Sequence, residues 1–350
     1  MTEDEWWTAE LLTVQGHAKG VELDVRGGSL QWSAFRSVRG TGSLDITLPP
    51  GLEIDWLTDR VRITHHHGDI VRPHGVWLIS APERSHAGPV THVTLQLADK
   101  TELLNSPIGG WRTVQPGEVV ADTVTTIVRD RTGELPSILP SDAVTPRAYT
   151  WAPEDTWLKV VNDLLTLVNY GSLWADLAGR FRSEPYVAPA DRRVTCTYGF
   201  REGERLMRAE WSDELPLWDI PTGFAVYTEG DEDTPGMSAR ADLPVEHPLS
   251  AARRGREILR VEPAEAATQA ALDGMAQRRL NSQLSVVYRA TLEHPVDDSQ
   301  LNDVVIHSPA GFRGAIVNRD VTLGVGAVVS DSVRHIWTDL EAVPWLSATR

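Results

Sequence analysis

The chain has 350 residues, of which 41% are hydrophobic and 23% are charged. This is the balance of a soluble globular protein with room for two or three domains, and no apolar run approaches the ~20 residues of a membrane-spanning helix. The formal net charge of −16 argues against specific binding of nucleic acid, because that affinity comes mainly from Lys and Arg. The N-terminus is acidic and lacks a small-residue cleavage site, so we expect synthesis in the cytoplasm without a secretory signal.

Residues 20–101 predict a first β-barrel domain, preceded by an N-terminal arm over residues 1–19. Apolar and polar side chains alternate in GVELDV, SLDITL, RVRIT, GVWLIS and HVTLQL, and Gly, Pro or Asp bounds each segment. Helical spacing is nearly absent from this region. Several short strands at such intervals are typical of a small barrel or sandwich.

Residues 102–188 predict an α+β domain built from two helices and a hairpin. EVVADTVTTIVRDRTG carries an apolar stripe at helical spacing and ends at Gly133, a suitable C-cap. We expect a second helix from about Pro153, with Gly171 as the left-handed residue that stops it. SLWADL and RFRSE then alternate around Ala178-Gly179, which predicts a tight turn between two strands.

Residues 189–283 predict a mixed domain with strands TCTYGF and GFAVYTEG and a long surface loop, GDEDTPGMSARADLPVEHP. The Ala-rich segment VEPAEAATQAALDGMAQRRLNSQ predicts a helix with Pro263 in its first turn. Cys196 is the single cysteine, which excludes an internal disulfide, and we expect it to be a buried small hydrophobe on a strand. Residues 284–350 return to short alternating runs, which predict the strands of a second β-barrel domain.

The segment THHHGDIVRPHG is the best candidate for a metal site. His65 and His67 share one face of a strand, and His74 or His92 could lie on a neighbouring strand. A zinc site needs three or four converging ligands, and the spacing does not show that convergence. Exposed imidazoles at a polar hairpin end are the simpler interpretation, and weak metal binding around His65 and His67 stays open.

The sequence offers no pattern that predicts catalysis. It contains no G-x-S-x-G, no phosphate-binding P-loop and no H-E-x-x-H, and its G-x-G fragments fall within β patterns. We therefore predict no catalytic, cofactor-binding or metal-binding residues, no cofactor, and a protein that is not an enzyme.

The order of these segments resembles that of the tail hub, or minor tail, proteins of tailed phages, especially phages of actinobacteria. The resemblance spans nearly the whole chain and is carried by GGSLQWSAFRSVRGTGSLDI, DRVRI, GVWLIS, TWLKVVNDLLTLVNYGSLWADLAGRFRSEPYVAPADR, HPLSAARRGREI and ATQAALDGMAQRRL. One departure is Pro221-Thr222-Gly223, where the family often has Pro-Asn before a strand. These features concern packing and turns, so they point to a fold more directly than to a mechanism.

The resemblance implies a mainly β, baseplate-hub-like fold with two small β-barrel-like domains linked by an α+β insert. It also implies a homotrimer at the tail tip of the virion that joins the tail tube to the tip or fibres around a channel for DNA. Expected partners are the distal tail or tail tube protein, the tape measure protein and tip or fibre proteins. The resemblance implies neither membrane insertion nor specific nucleic acid binding.

Two other functions stay open at this stage. A tail-associated cell-wall hydrolase would act at the same location, but every segment is already accounted for by the hub-like pattern. A glycan-binding protein for host attachment is supported by the 13 tryptophans, since large rigid side chains are common anchors in interfaces. The host, the tail type, the stoichiometry and the reach of the N-terminal arm are also open.

Overall fold

The computed structural model describes residues 5–335, except for 50, 88–89, 169, 188, 215–219, 229–235, 265–268 and 285–288. Its fold is mainly β with an α+β insert, which confirms the predicted fold class. The first six strands are β1 (Glu5–Leu12), β2 (Ala18–Ser33), β3 (Gly40–Leu48), β4 (Arg60–His67), β5 (Ile70–Ala87) and β6 (Val90–Asp99). They pair in the order β1-β4-β5-β6-β3-β2, and β1 also pairs with β2, so the six strands form a closed cycle.

The period-two pattern of these strands places their apolar side chains inside the cycle. Leu23 on β2, Leu44 and Ile46 on β3, and Val61 and Ile63 on β4 are all buried in one core. The five strands predicted from alternation are therefore confirmed. Part of the expected arm also belongs to this sheet, because β1 pairs with β2 and β4.

The α+β insert follows β6. Its elements are a first 3₁₀ helix (Lys100–Leu104), β7 (Arg112–Val114), α1 (Val120–Thr132), β8 (Ser137–Ile138), β9 (Tyr149–Trp151), α2 (Trp157–Leu167), β10 (Trp174–Ala175) and β11 (Phe181–Ser183). Gly133 ends α1 with a φ of 74°, as predicted, because glycine adopts the left-handed region without a Cβ clash. The two helices share one core with the strands of the insert.

Both predicted limits of α2 are wrong in detail. The helix begins at Trp157 rather than near Pro153, because the side chain of Thr156 accepts a hydrogen bond from the Lys159 backbone N–H and caps it. Its C-cap is Val168, with a φ of −104°. Gly171 is not left-handed; its N–H donates to the carbonyl of Glu184, at 2.9 Å.

The predicted hairpin is confirmed. Strands β10 and β11 pair with Ala175 opposite Phe181, and Gly179 occupies the turn with a φ of 81°. Leu173 and Phe181 are buried in the core that they share with α1 and α2. The hairpin is thus packed onto the helices by apolar side chains.

The remaining elements contain the mixed region and the last strands. They are a second 3₁₀ helix (Pro189–Asp191), β12 (Val194–Gly199), β13 (Arg205–Leu206), β14 (Trp211–Glu214), β15 (Gly223–Tyr227), β16 (Ser238–Asp242), α3 (Ala251–Arg254), β17 (Leu259–Pro263), α4 (Gln269–Leu284), β18 (Arg289–Pro295), β19 (Val304–His307), β20 (Phe312–Leu323) and β21 (Val328–His335). The predicted strands TCTYGF and GFAVYTEG correspond to β12 and β15. Part of the predicted loop, residues 230–235, lies outside the described residues. So do two parts of the predicted second barrel, residues 285–288 and 336–350.

Three predictions for this region are wrong. The predicted surface loop contains β16, which pairs with β15 and buries Ala239 and Ala241. Pro263 does not lie in the first turn of the Ala-rich helix, since it is the last residue of β17 and pairs in parallel with Tyr227 of β15; the helix is described over Gln269–Leu284. The part of the predicted helix that lies in β17 contains a valine and a proline, which favour a strand over a helix. Cys196 does lie on a strand, β12, but it is half-buried rather than buried.

The chain forms two compact units. The first comprises Met1–Val187, His294–Leu301 and Asn318–Ser330, and the second comprises Ala188–Glu293, Asn302–Val317 and Asp331–Arg350. In the first unit the end of β20 pairs with β2, with Leu323 opposite Gly28. In the second unit β12 runs parallel to β19, and a separate three-stranded sheet has the order β16-β15-β17.

Candidate functional site

The histidines of the β4–β5 hairpin are the first cluster with chemical potential. Three of the four candidates come together: the His65 ring centroid lies 6.2 Å from that of His74 and 6.4 Å from that of His67. His92 lies elsewhere, with its Nδ1 2.8 Å from the guanidinium of Arg26. Among the described residues, no group of three or more His, Cys, Asp or Glu side chains could hold a metal ion.

His65 and His74 are buried aromatic packing groups, contrary to the expectation of exposed imidazoles. The Trp7 ring lies 4.7 Å from the His65 ring and 5.1 Å from the His74 ring. Burial lowers the pKa of His74 to about 3. Burial also lowers the pKa of His65, and it outweighs the hydrogen bond from His65 Nε2 to Glu5 at 2.9 Å. Both rings are therefore neutral at pH 7.

A second aromatic cluster contains two histidines of the second unit. The His307 ring lies 4.6 Å from the Trp211 ring and 5.3 Å from the Phe312 ring, and His335 lies 5.5 Å from Phe312. Burial lowers the pKa of His307 and that of His335 to about 4 each. These imidazoles pack among rings and are neutral at pH 7, so neither carries the second ring proton that a general acid would transfer.

The first unit also brings a serine, a histidine and an aspartate together, but not in a nucleophile geometry. The carboxylate of Asp297 is at the centre: Ser299 Oγ donates to it at 3.2 Å, and His294 Nδ1 lies 3.7 Å from it. Arg319 neutralises the same carboxylate at 2.6 Å. A serine nucleophile needs a hydrogen bond to the base. Here the hydroxyl donates to the carboxylate, and Arg319 on β20 links the same carboxylate to a second segment of the chain.

A buried ion cluster joins the first sheet to the α+β insert. Arg60 on β4 and Lys100 on the first 3₁₀ helix both donate to the carboxylate of Glu134, which follows α1. Lys100 also donates to the carbonyl of Gly179 in the hairpin turn, at 2.7 Å. Burial lowers the pKa of Lys100, against the opposite effect of Glu134. Two buried cations sharing one carboxylate fix the insert against the sheet.

Exposed apolar side chains are the features that point to binding. Trp111, in the loop before β7, is 75% exposed, and Leu57 and Val325 are each 95% exposed. On the outer face of the first sheet, Trp6 is 43% exposed and stacks on His66 at 4.8 Å. Contiguous apolar patches mark interaction surfaces, and a large exposed aromatic side chain such as Trp111 is a candidate anchor for one.

A shallow polar cavity of about 260 Å³ lies in the second unit, between β14, β18 and β21. It is lined by hydroxyl and charged side chains: Ser212, Asp213, Glu214, Arg289, Thr291 and Ser332. Arg289 lies 3.4 Å from Glu214 across the strand pair. No histidine lies among these lining residues.

No described helix combines the length and the hydropathy needed to cross a bilayer.

The Arg60–Lys100–Glu134 cluster was not predicted from the sequence, because its members are separated by 40 and 34 residues of chain. The grouping of His307 with His335 was not predicted either. In each case the residues meet only through tertiary pairing, and no local signal marks them.

The fold is that of phage tail proteins. A tail protein from Neisseria meningitidis aligns over 97% of this chain and 100% of its own, with a TM-score of 0.70 and 12% identity. A prophage MuSo2 tail protein from Shewanella oneidensis aligns over 96% and 99%, with a TM-score of 0.66 and 12% identity. A prophage tail protein from Listeria monocytogenes aligns over 97% and 98%, with a TM-score of 0.57 and 9% identity. No protein-family model and no curated protein matches the sequence.

Proposed function

We propose that the chain is a structural component of a phage tail, namely the tail-tip or baseplate hub. The observation that supports this most strongly is the likeness of its fold to whole phage tail proteins, over almost the full length of both chains. Fold alone does not determine function. The exposed Trp111 and the absence of a reactive geometry among the described side chains add to the proposal, because both suit an assembly component.

In this proposal three copies form a ring between the tail tube and the tail tip or fibres. Each copy would contribute two barrel-like domains, over residues 20–101 and 284–350, so that three copies present six similar modules to a hexameric tube. A symmetric ring of this kind is closed and has a defined number of interfaces. The distal tail or tail tube protein, the tape measure protein and the fibre proteins are the proposed partners. The N-terminal arm, the insert over residues 102–188 and the mixed domain over residues 189–283 complete the proposed division.

The ring would surround a channel for DNA. Three copies carry 3 × −16 = −48 formal charges, and a surface of the same sign as DNA lets it pass without adhesion. The proposed location is the tail tip of the virion, after synthesis in the host cytoplasm. The phage type, including an actinobacterial host, stays a prediction.

Light scattering on the purified chain tests the proposal, alone and after mixing with a tail tube protein from the same virion. We expect a trimer in at least one of these conditions and a three-fold ring in cryo-electron microscopy images. A chain that stays monomeric with and without the tube protein would contradict the hub. A neutral or basic lumen in the reconstruction would refute the proposed role of the charge.

Glycan binding is the second candidate function, because Trp111 presents most of its ring to solvent. If the chain binds glycans, a glycan array will show binding that Trp111→Ala abolishes. If Trp111 instead contacts another tail protein, the array will show no binding.

We also propose that the chain has no enzymatic activity. A cleared band in a peptidoglycan zymogram of the purified chain would instead establish the cell-wall hydrolase.

A further inference from the structure

The cavity between β14, β18 and β21 lies on one polar face of three paired strands. Ser212 pairs opposite Thr291, and Glu214 pairs opposite Arg289. Residues directly opposite each other in an antiparallel pair have their side chains on the same face. Strand β21 pairs with β18 and contributes Ser332 to the lining. Because strands hold all of these side chains, their spacing is more precise than it would be on loops.

The polar groups of the lining are not fully hydrogen-bonded. The Arg289 guanidinium has several N–H donors, and its contact with Glu214, at 3.4 Å, uses one of them. Its Nε is buried and has no hydrogen-bond partner among the described residues. In the same part of the chain, the hydroxyls of Ser212, Thr291 and Ser332 make no hydrogen bond either, although each can both donate and accept. The face therefore offers donors and acceptors side by side.

The charges around the cavity nearly balance. The lining carries two carboxylates and the guanidinium of Arg289, a formal net charge of −1. Burial, followed by the nearby charge of Arg289, lowers the pKa of Arg334 to about 10, so a second guanidinium lies close by. Glu293, also on β18, is paired with Arg208 and adds no net charge. Such a balance favours a neutral ligand over an anion or a cation.

Size and polarity narrow the ligand further. The volume of about 260 Å³ is below the roughly 300 Å³ at which pockets for drug-sized molecules begin, so it suits a single small ring. An apolar ring would leave the donors and acceptors of the lining unpaired, which costs free energy. A ring with several hydroxyls pairs with both kinds of group. Because the cavity is shallow, the rest of a longer molecule can stay in solvent.

We propose that this cavity binds a neutral sugar unit at the end of a glycan. Glu214 would accept hydrogen bonds from sugar hydroxyls, Arg289 would donate to sugar oxygens, and Thr291 could do either. The six lining residues include no aromatic ring on which a sugar could stack, so we expect weak binding, on the order of millimolar. The site belongs to the second unit, whereas Trp111 belongs to the first, and the proposal does not depend on the hub function.

Saturation-transfer difference NMR on the full chain tests the site. The probes are the methyl glycosides of glucose, galactose, mannose and N-acetylglucosamine. We expect saturation transfer to at least one of them and none to tetrahydropyran-2-methanol, a ring of the same size with a single hydroxyl. No transfer to any glycoside would overturn the proposal. Tighter binding of glycine or inorganic phosphate, or binding of the free sugar without its methyl glycoside, would overturn it as well.

Variants of the lining locate the binding. Thr291→Val removes one hydroxyl with little change of shape and should weaken the bound glycoside about fivefold, the typical effect of one hydrogen bond. Glu214→Gln should weaken it about tenfold or more, because a carboxylate is the stronger acceptor. Thr322→Val, at an exposed strand position of the first unit, should leave the affinity unchanged. Unchanged affinity in both lining variants, or a loss only in Trp111→Ala, would refute the assignment.

Discussion

Replacing Glu134 by glutamine should destabilise the first unit strongly. The side chains of Arg60 and Lys100 are 3% and 5% exposed, and both donate to the single carboxylate of Glu134. Glutamine keeps the shape but removes the charge, so two cations stay buried without their carboxylate. Breaking a buried ion pair in this way costs about 3–5 kcal/mol, because the uncompensated charge has lost its hydration. Lys100 cannot simply leave, since it also donates to the carbonyl of Gly179.

Urea unfolding at pH 7, followed by tryptophan fluorescence, measures this loss. Asp130→Asn is the matched control on the preceding helix, because Asp130 pairs with Arg129 at 3.2 Å while both side chains are more than half exposed. An exposed pair is worth about 0–1 kcal/mol, so the control should unfold almost as the wild type does. A loss for Glu134→Gln below about 1 kcal/mol, equal to that of the control, would refute the assigned role of the cluster.

A second variant separates charge from packing. Lys100→Met added to Glu134→Gln should recover part of the loss, because methionine removes one uncompensated cation and keeps most of the side-chain volume. If the double variant is no more stable than Glu134→Gln, the cost arises from lost hydrogen bonds rather than from the buried charge.

Two further predictions concern the hairpin turn and the buried histidines. Gly179→Ala should cost about 2 kcal/mol or more in urea unfolding, because a Cβ there meets Val76 Cγ2 at 2.5 Å in addition to the left-handed strain. Gly203→Ala has the same kind of φ but open space, so it should cost only about 1 kcal/mol, and equal losses would contradict this reasoning. His307 and His335 have pKa values of about 4 in the folded chain against an ordinary 6.5. The unfolded chain therefore binds more protons between these values, and stability should fall by up to about 1.4 kcal/mol per pH unit for each histidine as pH drops from 6.5 to 4. The replacement His335→Gln should flatten that slope, and a slope unchanged from the wild type would exclude the assignment.

Several helices, strands and turns are predictable from short segments of the amino-acid sequence. Alternation with period two identified the strands β2 to β6, because one face of each strand is buried. Apolar residues at helical spacing identified α1. Its end at Gly133 was predictable because glycine adopts the left-handed region without a steric cost. Turn chemistry likewise identified the hairpin at Gly179. The order of the segments along the chain resembles that of phage tail proteins. The structural similarity to phage tail proteins supports this resemblance for the fold.

Strand pairing and the contacts between polar groups depend instead on residues that are far apart in the chain. The last residues of β17, Val261 to Pro263, lie inside the segment predicted as the start of the Ala-rich helix, and pairing with β15 satisfies their backbone in a strand instead. The pairing of Gly28 with Leu323 spans nearly the whole chain, and no local pattern encodes it. The burial of His65 follows from the same cause. A histidine in a polar-looking segment becomes a core residue because β1 closes over it, and closure depends on contacts that are distant in sequence.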